Sequence, residues 1–277
     1  MKTNSGYIVF GANGLIGSSF CKYLEDNNLE FVAVSRSKTN IFNYKNYFSL
    51  DLEKTNLWPL GLSDFFYKHK NVVFLSGLAH KQNLNVLSIN LRILKNFLDE
   101  YKIYKDSHKL LFVSTRDIKY LDKKPYIDLP EFQIQYAKSK KLSEDILKKS
   151  FSKNSIILRL PIVFSASNKT DLQKRYSFKF NNKRIFFRIL PSPDYEIICT
   201  NHLNELFLKK FKEDSVDEGL TIFKKLSQKK LLKAESNFYF PIPSFLLYFV
   251  YIFCKYSPFK SLKIKTLNFD KLLSLTK

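Results

Sequence analysis

Tyr7-Ile8-Val9-Phe10-Gly11-Ala12-Asn13-Gly14-Leu15-Ile16-Gly17 decides the fold. Four apolar residues rich in β-branched and aromatic side chains make a short buried strand, and a glycine-punctuated turn then opens a helix. Three of the chain's 7 glycines fall in this turn. Glycines at such positions permit a tight bend, close approach of backbone to a pyrophosphate, and contact packing of helix on strand. The first turn of the helix offers unsatisfied N–H groups and the positive end of its dipole to phosphate oxygens. The stretch therefore predicts a dinucleotide-binding unit, with Gly11, Asn13, Gly14, Leu15, Ile16 and Gly17 around the cofactor's phosphates.

Working outward, short apolar runs alternate with helical segments as far as residue 160. Strands are expected at Tyr7–Phe10, Phe31–Val34, Tyr47–Leu50, Val72–Leu75, Leu110–Ser114 and Ser155–Leu160, and helices at about 15–27, 57–69, 83–101 and 133–150. Leu84, Leu87, Leu91, Leu94 and Leu98 recur every three or four residues and predict the buried face of the third helix. Strands alternating with helices build a parallel sheet covered on both faces. The expected class is α/β, a Rossmann-type doubly wound sheet over residues 1–165. A smaller substrate-binding region with C-terminal helices, interleaved with the sheet edge, is expected over 166–277. In that half, residues 165–188 read as a basic segment, either a ligand clamp or a solvated loop. Helical stretches are expected near 203–213 and 222–235, and the apolar run Phe238–Cys254 reads as a packed terminal helix.

The second strand runs into Ser35-Arg36-Ser37-Lys38, where no carboxylate stands to hold a ribose 2′-hydroxyl. A hydroxyl beside a guanidinium suits a 2′-phosphate, which favours NADP; NAD stays open, since Arg36 also reads as a solvated surface residue.

Tyr136-Ala137-Lys138-Ser139-Lys140 carries a tyrosine and a lysine four residues apart, hence on one helical face. The spacing alone decides nothing, because Tyr101, Tyr120, Tyr251 and Tyr256 also precede a lysine by four. Position does: Tyr136 follows a strand ending in hydroxyls, Ser114-Thr115, and a loop. A neighbouring ammonium, together with the positive ring of a bound nicotinamide, stabilises phenolate and is expected to lower the phenol pKa from ~10 toward working pH, so that Tyr136 exchanges a proton with a substrate hydroxyl.

With the glycine turn, the longer pattern through Ser139, Lys140 and Glu144, and the loop KKPYIDLPEFQIQ before the tyrosine, the chain resembles the extended branch of the short-chain dehydrogenase/reductase superfamily, nucleotide-sugar epimerases, dehydratases and reductases. The resemblance spans residues 7–165. It implies hydride transfer with Tyr136 as acid/base and Lys140 also holding the nicotinamide ribose. Thr115 is implied as the group orienting the substrate oxygen, with Ser114 second. Ser114-Thr115-Arg116-Asp117 resembles the strand end of sugar-ketone reductases but departs from the serine run of epimerases. Asp51 and Leu52 fall where the family meets adenine, although Asp51 reads equally as a turn residue. Ser76, Gly77 and Leu78 resemble a segment lining the cofactor, Asn90 a structural asparagine, and Pro161 the strand end meeting the nicotinamide; Ser165 replaces a glycine there. Arg116, Arg175 and Arg184 are candidate substrate contacts and so is His80, which reads equally as a packed residue. The resemblance further implies a nucleotide-sugar substrate, surface polysaccharide assembly and a homodimer.

The remaining composition narrows the alternatives. Lys and Arg total 46 against 25 acids, a net charge of +21, while 45% of residues are hydrophobic. This excludes wholesale disorder but admits anionic partners. Seven of the bases are arginine, too few to favour base-specific readout of nucleic acid. Three scattered cysteines make neither a disulfide framework nor a metal site, and a reducing, cytoplasmic location is expected without a visible secretory leader. No metal is expected. Two rivals stay open: a non-catalytic dinucleotide-binding module, either a redox sensor or a basic RNA-associated protein, and a membrane-surface enzyme on lipid-linked sugars, since the apolar C-terminal run is flanked by lysines.

Overall fold

The computed structural model describes residues 6–78, 85–121, 131–151, 153–165, 173, 177–180, 183–213, 218–220, 224–233, 239–243, 245, 246 and 249. Strands β1 (Tyr7–Phe10), β2 (Phe31–Ser35), β3 (Tyr47–Ser49), β4 (Asn71–Phe74), β5 (Lys109–Thr115) and β6 (Ser155–Leu160) alternate with helices α1 (Leu15–Asp26), α2 (Leu62–Lys68), α3 (Val86–Tyr101) and α4 (Glu131–Ser150). Beyond them lie β7 (Ile162–Phe164), β8 (Ser177–Phe180), β9 (Lys183–Leu190), β10 (Asp194–Cys199), α5 (Thr200–Lys212), β11 (Glu218–Leu220), β12 (Lys224–Ser227), α6 (Gln228–Lys233) and β13 (Phe240–Pro243).

The main sheet runs β11-β6-β5-β4-β1-β2-β3, every neighbouring pair parallel. Strand order reverses between β1 and β4, and in such sheets ligands bind beyond the carboxyl ends of the strands at this reversal. Alternation along the strands splits the core in two. Phe10, Val34, Phe74 and Phe112 face α3 and α4, where Leu94, Phe97 and Leu147 meet them. Val9, Ala33, Val73, Leu111 and Val113 face Phe20 and Leu24 of α1 and Leu203, Phe207 and Phe211 of α5. α5 is thus the late helix that completes the α1 face, and Asn204 Nδ2 donates to Ser19 O at 3.2 Å to fix it.

Four expectations shift. The buried stripe of α3 is Val86, Ile89, Asn90, Ile93, Leu94, Phe97 and Tyr101, while Leu87, Leu91 and Leu98 are half-buried at its margin. The larger aromatic and β-branched residues take the sheet-facing side, one position round from the leucines. The basic segment 165–188 contributes a β8–β9 antiparallel hairpin, with β13 parallel to β9 on the other edge. Residues 222–235 divide into strand β12, paired with β10, and the short helix α6. The apolar run begins as strand β13, because proline at 241 and 243 suits an edge strand and not a helix interior. Among the described residues no helix is long and apolar enough to cross a membrane.

Candidate active site

The glycine turn sits at the carboxyl end of β1, and its own backbone sets its shape. Gly11 adopts φ 87°, a left-handed conformation that suits glycine. Gly11 N and Ala12 N both donate to Val34 O, at 2.8 and 3.1 Å. A Cβ on Gly17 would collide with the Gly11 carbonyl oxygen and stand 2.8 Å from Ala12 Cα, so helix and turn are in backbone contact. Gly14 is the N-cap of α1, with no capping side chain and no acid in the first turn. Gly14 and Leu15 are exposed and Ile16 half-buried. Asn13 donates through Nδ2 to Tyr47 OH at 3.4 Å, while its Oδ1 is buried with no hydrogen-bond partner. An orphaned acceptor beside an uncapped helix start fits a ligand carrying hydroxyls and phosphates.

Ser35 ends β2 with its Oγ accepting from Ser37 N at 3.4 Å, and Arg36 is exposed. Tyr47 OH donates to Ser37 O at 2.5 Å, which ties this corner to the glycine turn through Asn13. Asp51 forms a turn: Oδ1 accepts from Glu53 N at 3.2 Å and its carbonyl from Lys54 N and Thr55 N. Leu52 is buried in the core, its carbonyl held by Asn96 Nδ2 at 2.9 Å. The Leu52 side chain therefore contributes packing and does not face the crevice.

On the other side of the reversal, Asn90 joins the loop after β4 to the tyrosine helix. Its Oδ1 accepts from Leu78 N at 2.7 Å, and its Nδ2 donates to Leu78 O at 3.2 Å and Ser139 Oγ at 3.1 Å. Ser139 Oγ in turn donates to Tyr136 O at 2.7 Å. Ser76, Gly77 and Leu78 are thus held against α4. Lys140 Nζ donates to Val113 O at 2.8 Å, lying 4.6 Å from the Phe112 ring centre and 5.9 Å from that of Tyr136. A Cβ on Gly77 would be 3.9 Å from this ammonium, so the lysine reaches the loop. Pro161 follows directly on β6.

In the chain without cofactor, Tyr136 is pushed up from the ordinary tyrosine value, first by burial and then by the negative charge of Asp117. Burial pushes Lys140 down to about 8, and Glu144 opposes that shift. Glu144 is fully buried and takes Arg159 Nε at 2.9 Å and Nη2 at 2.6 Å, which explains why a glutamate follows the tyrosine–lysine pair: it pins α4 to β6.

The two hydroxyls differ. Thr115 Oγ1 accepts from Asp117 N at 3.2 Å and caps the 3-10 turn Arg116–Tyr120; its own proton is left to donate elsewhere. Ser114 Oγ is buried with no hydrogen-bond partner, and strand alternation sets Ser114 on the Phe112 face, over which Lys140 lies. Arg116 is held by Glu196 of β10 at 2.7 Å, joined there by Lys119 at 3.1 Å, so it bridges β5 to the smaller sheet. Arg184 Nη1 donates to Gln173 Oε1 at 2.6 Å. His80 and Arg175 lie outside the described residues. Sequence reading missed Gln133, whose Nε2 donates to Asp117 Oδ2 at 3.2 Å; its place three residues before Tyr136, on the same helical face, was the available signal.

The model of the NAD dependent epimerase/dehydratase family matches residues 7–183. No curated protein matches the chain. Among solved structures the chain is similar to UDP-N-acetylglucosamine 4-epimerase from Bacillus cereus, with 15% identity and a TM-score of 0.61 over 86% of this chain and 85% of that one. It is also similar to ADP-L-glycero-D-manno-heptose-6-epimerase from Helicobacter pylori, with 13% identity and a TM-score of 0.64 over 88% and 86%. A third is L-threonine 3-dehydrogenase from Trypanosoma brucei, with 16% identity and a TM-score of 0.64 over 86% and 82%.

Proposed function

Because this chain belongs to the NAD dependent epimerase/dehydratase family, and so is an enzyme of the short-chain dehydrogenase type with a nicotinamide cofactor, we propose that it acts on a nucleotide sugar as a 4-keto reductase or 4-epimerase. The observation that carries this reading is the Tyr136–Lys140 face beneath the Gly77 loop, with Thr115 and the orphaned Ser114 hydroxyl at the neighbouring strand end. The glycine turn and Asn13 would hold the cofactor's phosphates, and the cofactor supplies or takes the hydride. Lys140 anchors its ribose, Thr115 or Ser114 donates to the sugar oxygen, and Tyr136 moves the proton. Ser35 beside Arg36 supports NADP over NAD.

Tyr136→Phe tests the reading: turnover of UDP-4-keto sugars falls at least ~100-fold with NADPH affinity nearly unchanged. Retained turnover overturns it. The same reading includes surface polysaccharide assembly in the cytoplasm. It also includes a homodimer, for which half-buried Leu87 and Leu91 with exposed Leu142 and Ile146 offer an apolar face on α3 and α4; sedimentation of Leu142→Asp checks it. Scarce arginine argues against specific nucleic-acid binding. A second reading, peripheral attachment to anionic lipid, is favoured by exposed Phe240, Phe245, Leu246 and Phe249 in a chain with exposed Lys229 and Lys230. Co-sedimentation with phosphatidylglycerol but not phosphatidylcholine vesicles is its expected result.

A further inference from the structure

Resting on the proposed preference for NADP and deepening it, we propose that Tyr47 is a positioning residue for coenzyme choice, holding the chain after β2 so that Ser35, Arg36, Ser37 and Lys38 are offered to an adenine-ribose 2′-phosphate. In sheets of this order the adenine ribose meets the carboxyl end of the second strand, beside the glycine turn. Tyr47 opens β3, and its hydroxyl reaches both places. It donates to Ser37 O at 2.5 Å, with Thr39 O at 3.3 Å, and accepts from Asn13 Nδ2 at 3.4 Å. A phenol has a single proton, and the Ser37 carbonyl has the shortest claim on it. One hydroxyl thus ties the residues after β2 to the turn after β1.

The rest of the loop is bonded to keep that shape. Ser37 Oγ donates to Thr39 O at 3.0 Å and accepts from Thr39 N at 3.1 Å. Asn40 closes the next bend, with Nδ2 donating to Tyr44 O at 2.8 Å and Oδ1 accepting from Tyr44 N at 3.0 Å. Tyr44 is buried; its hydroxyl donates to Ala12 O at 3.5 Å, and its ring stacks on Tyr47 with centres 6.5 Å apart. Two tyrosines therefore staple this loop to the glycine turn.

The loop offers donors and positive charge. No acid occurs between Glu30 and Asp51, and Asp51 is folded onto Glu53 N at 3.2 Å and Lys54 at 3.7 Å. A ribose 2′-hydroxyl therefore finds no carboxylate to accept from it. Arg36 and Lys38 are exposed. Ser35 Oγ accepts from Ser37 N at 3.4 Å and keeps its own proton to donate. A hydroxyl beside a guanidinium and an ammonium suits a dianion. These groups lie on exposed chain, so the turn that Tyr47 holds decides whether they converge. The glycine turn serves NADH and NADPH alike, so releasing Asn13 from Tyr47 acts on both, whereas releasing Ser37 acts on NADPH alone.

The test reads binding and needs no sugar. The full chain is titrated with NADPH and with NADH, followed by coenzyme fluorescence. The unaltered chain is expected to bind NADPH at least about tenfold more tightly. Tyr47→Phe keeps the ring and its stack on Tyr44, and is expected to lower the NADPH-to-NADH affinity ratio about tenfold. Arg36→Ala is expected to lower it as well. An unchanged ratio in Tyr47→Phe overturns the inference, and so does an equal loss for both coenzymes, which is what a merely structural role gives. Should Tyr47→Phe fail to fold, Tyr47→Met, which also fills space without a hydroxyl, takes its place with the same expectation. The outcomes are separable. A ratio near one in the unaltered chain defeats the NADP reading itself, while a ratio that falls in Arg36→Ala and holds in Tyr47→Phe defeats only Tyr47.

Discussion

Replacing Lys140 by Met separates what the fold needs from what the chemistry needs. Lys140 is 6% exposed, and burial depresses it to about 8 from an ordinary lysine value of ~10.4. Below pH ~8 both folded and unfolded chains carry the charge, and the fold bears the whole cost of burying it. Between ~8 and ~10.4 the unfolded chain binds more protons, so stability rises with pH across that window. At 1.36 kcal/mol per unit, the lysine's ionisation penalises the fold by about 3 kcal/mol near pH 7 and by about 1 kcal/mol near pH 9.5. Methionine has similar length and no charge, though it leaves Val113 O without its donor at a cost of about 1–3 kcal/mol. That cost does not depend on pH. Urea unfolding of both chains near pH 7 and pH 9.5 is therefore expected to show the difference in stability moving toward the unaltered chain by about 2 kcal/mol as pH rises. A pH-independent difference refutes the idea that a buried ammonium is maintained here against the interests of stability.

Other perturbations address the parts that hold the crevice. Gly17→Val drives a branched side chain into the Gly11 carbonyl; thermal melting should show a loss of about 1–3 kcal/mol or more, and NADPH fluorescence enhancement should vanish. Glu144→Leu strands the Arg159 guanidinium, itself 30% exposed, and is expected to cost about 2–4 kcal/mol in urea unfolding. Asn90→Leu removes both bonds to Leu78, so isothermal titration should report cofactor affinity weakened about tenfold, with Ser139 no longer tied to the loop.

The fold was legible because its signals are local. Apolar runs at 7–10, 31–35 and 155–160 are largely buried strands bounded by turn residues, and the observed limits lie within a residue or two of those expected. The α3 stripe was placed only in part: Leu94 is buried as expected and Leu84 lies outside the described residues, but periodicity gives the angular width of a buried face and not its centre, which the bulk of Ile89, Ile93 and Phe97 decides. The hairpin of 177–190 and strand β12 escaped notice because basic residues are interspersed with apolar ones on short strands lying outside the main core, where polarity imitates a loop or an exposed helix. In the site, residue types were readable and their partners were not. Nothing in the letters at 116 and 196 announces that an arginine and a glutamate eighty residues apart meet at 2.7 Å, nor that Gln133 and Asp117 meet from two different elements.

The late arrival of α5 has a consequence for synthesis. One flank of the sheet stays uncovered until Leu203, Phe207 and Phe211 have emerged to lie against Phe20 and Tyr7, and β6 gains its outer neighbour only with Glu218–Leu220. A ribosome that has delivered the glycine bend and the tyrosine helix still holds a nascent chain with greasy surface open to its neighbours. The interval of exposure is thus set by the sixty or so residues after β6, through Leu220, which close the sheet's flank and its outer edge.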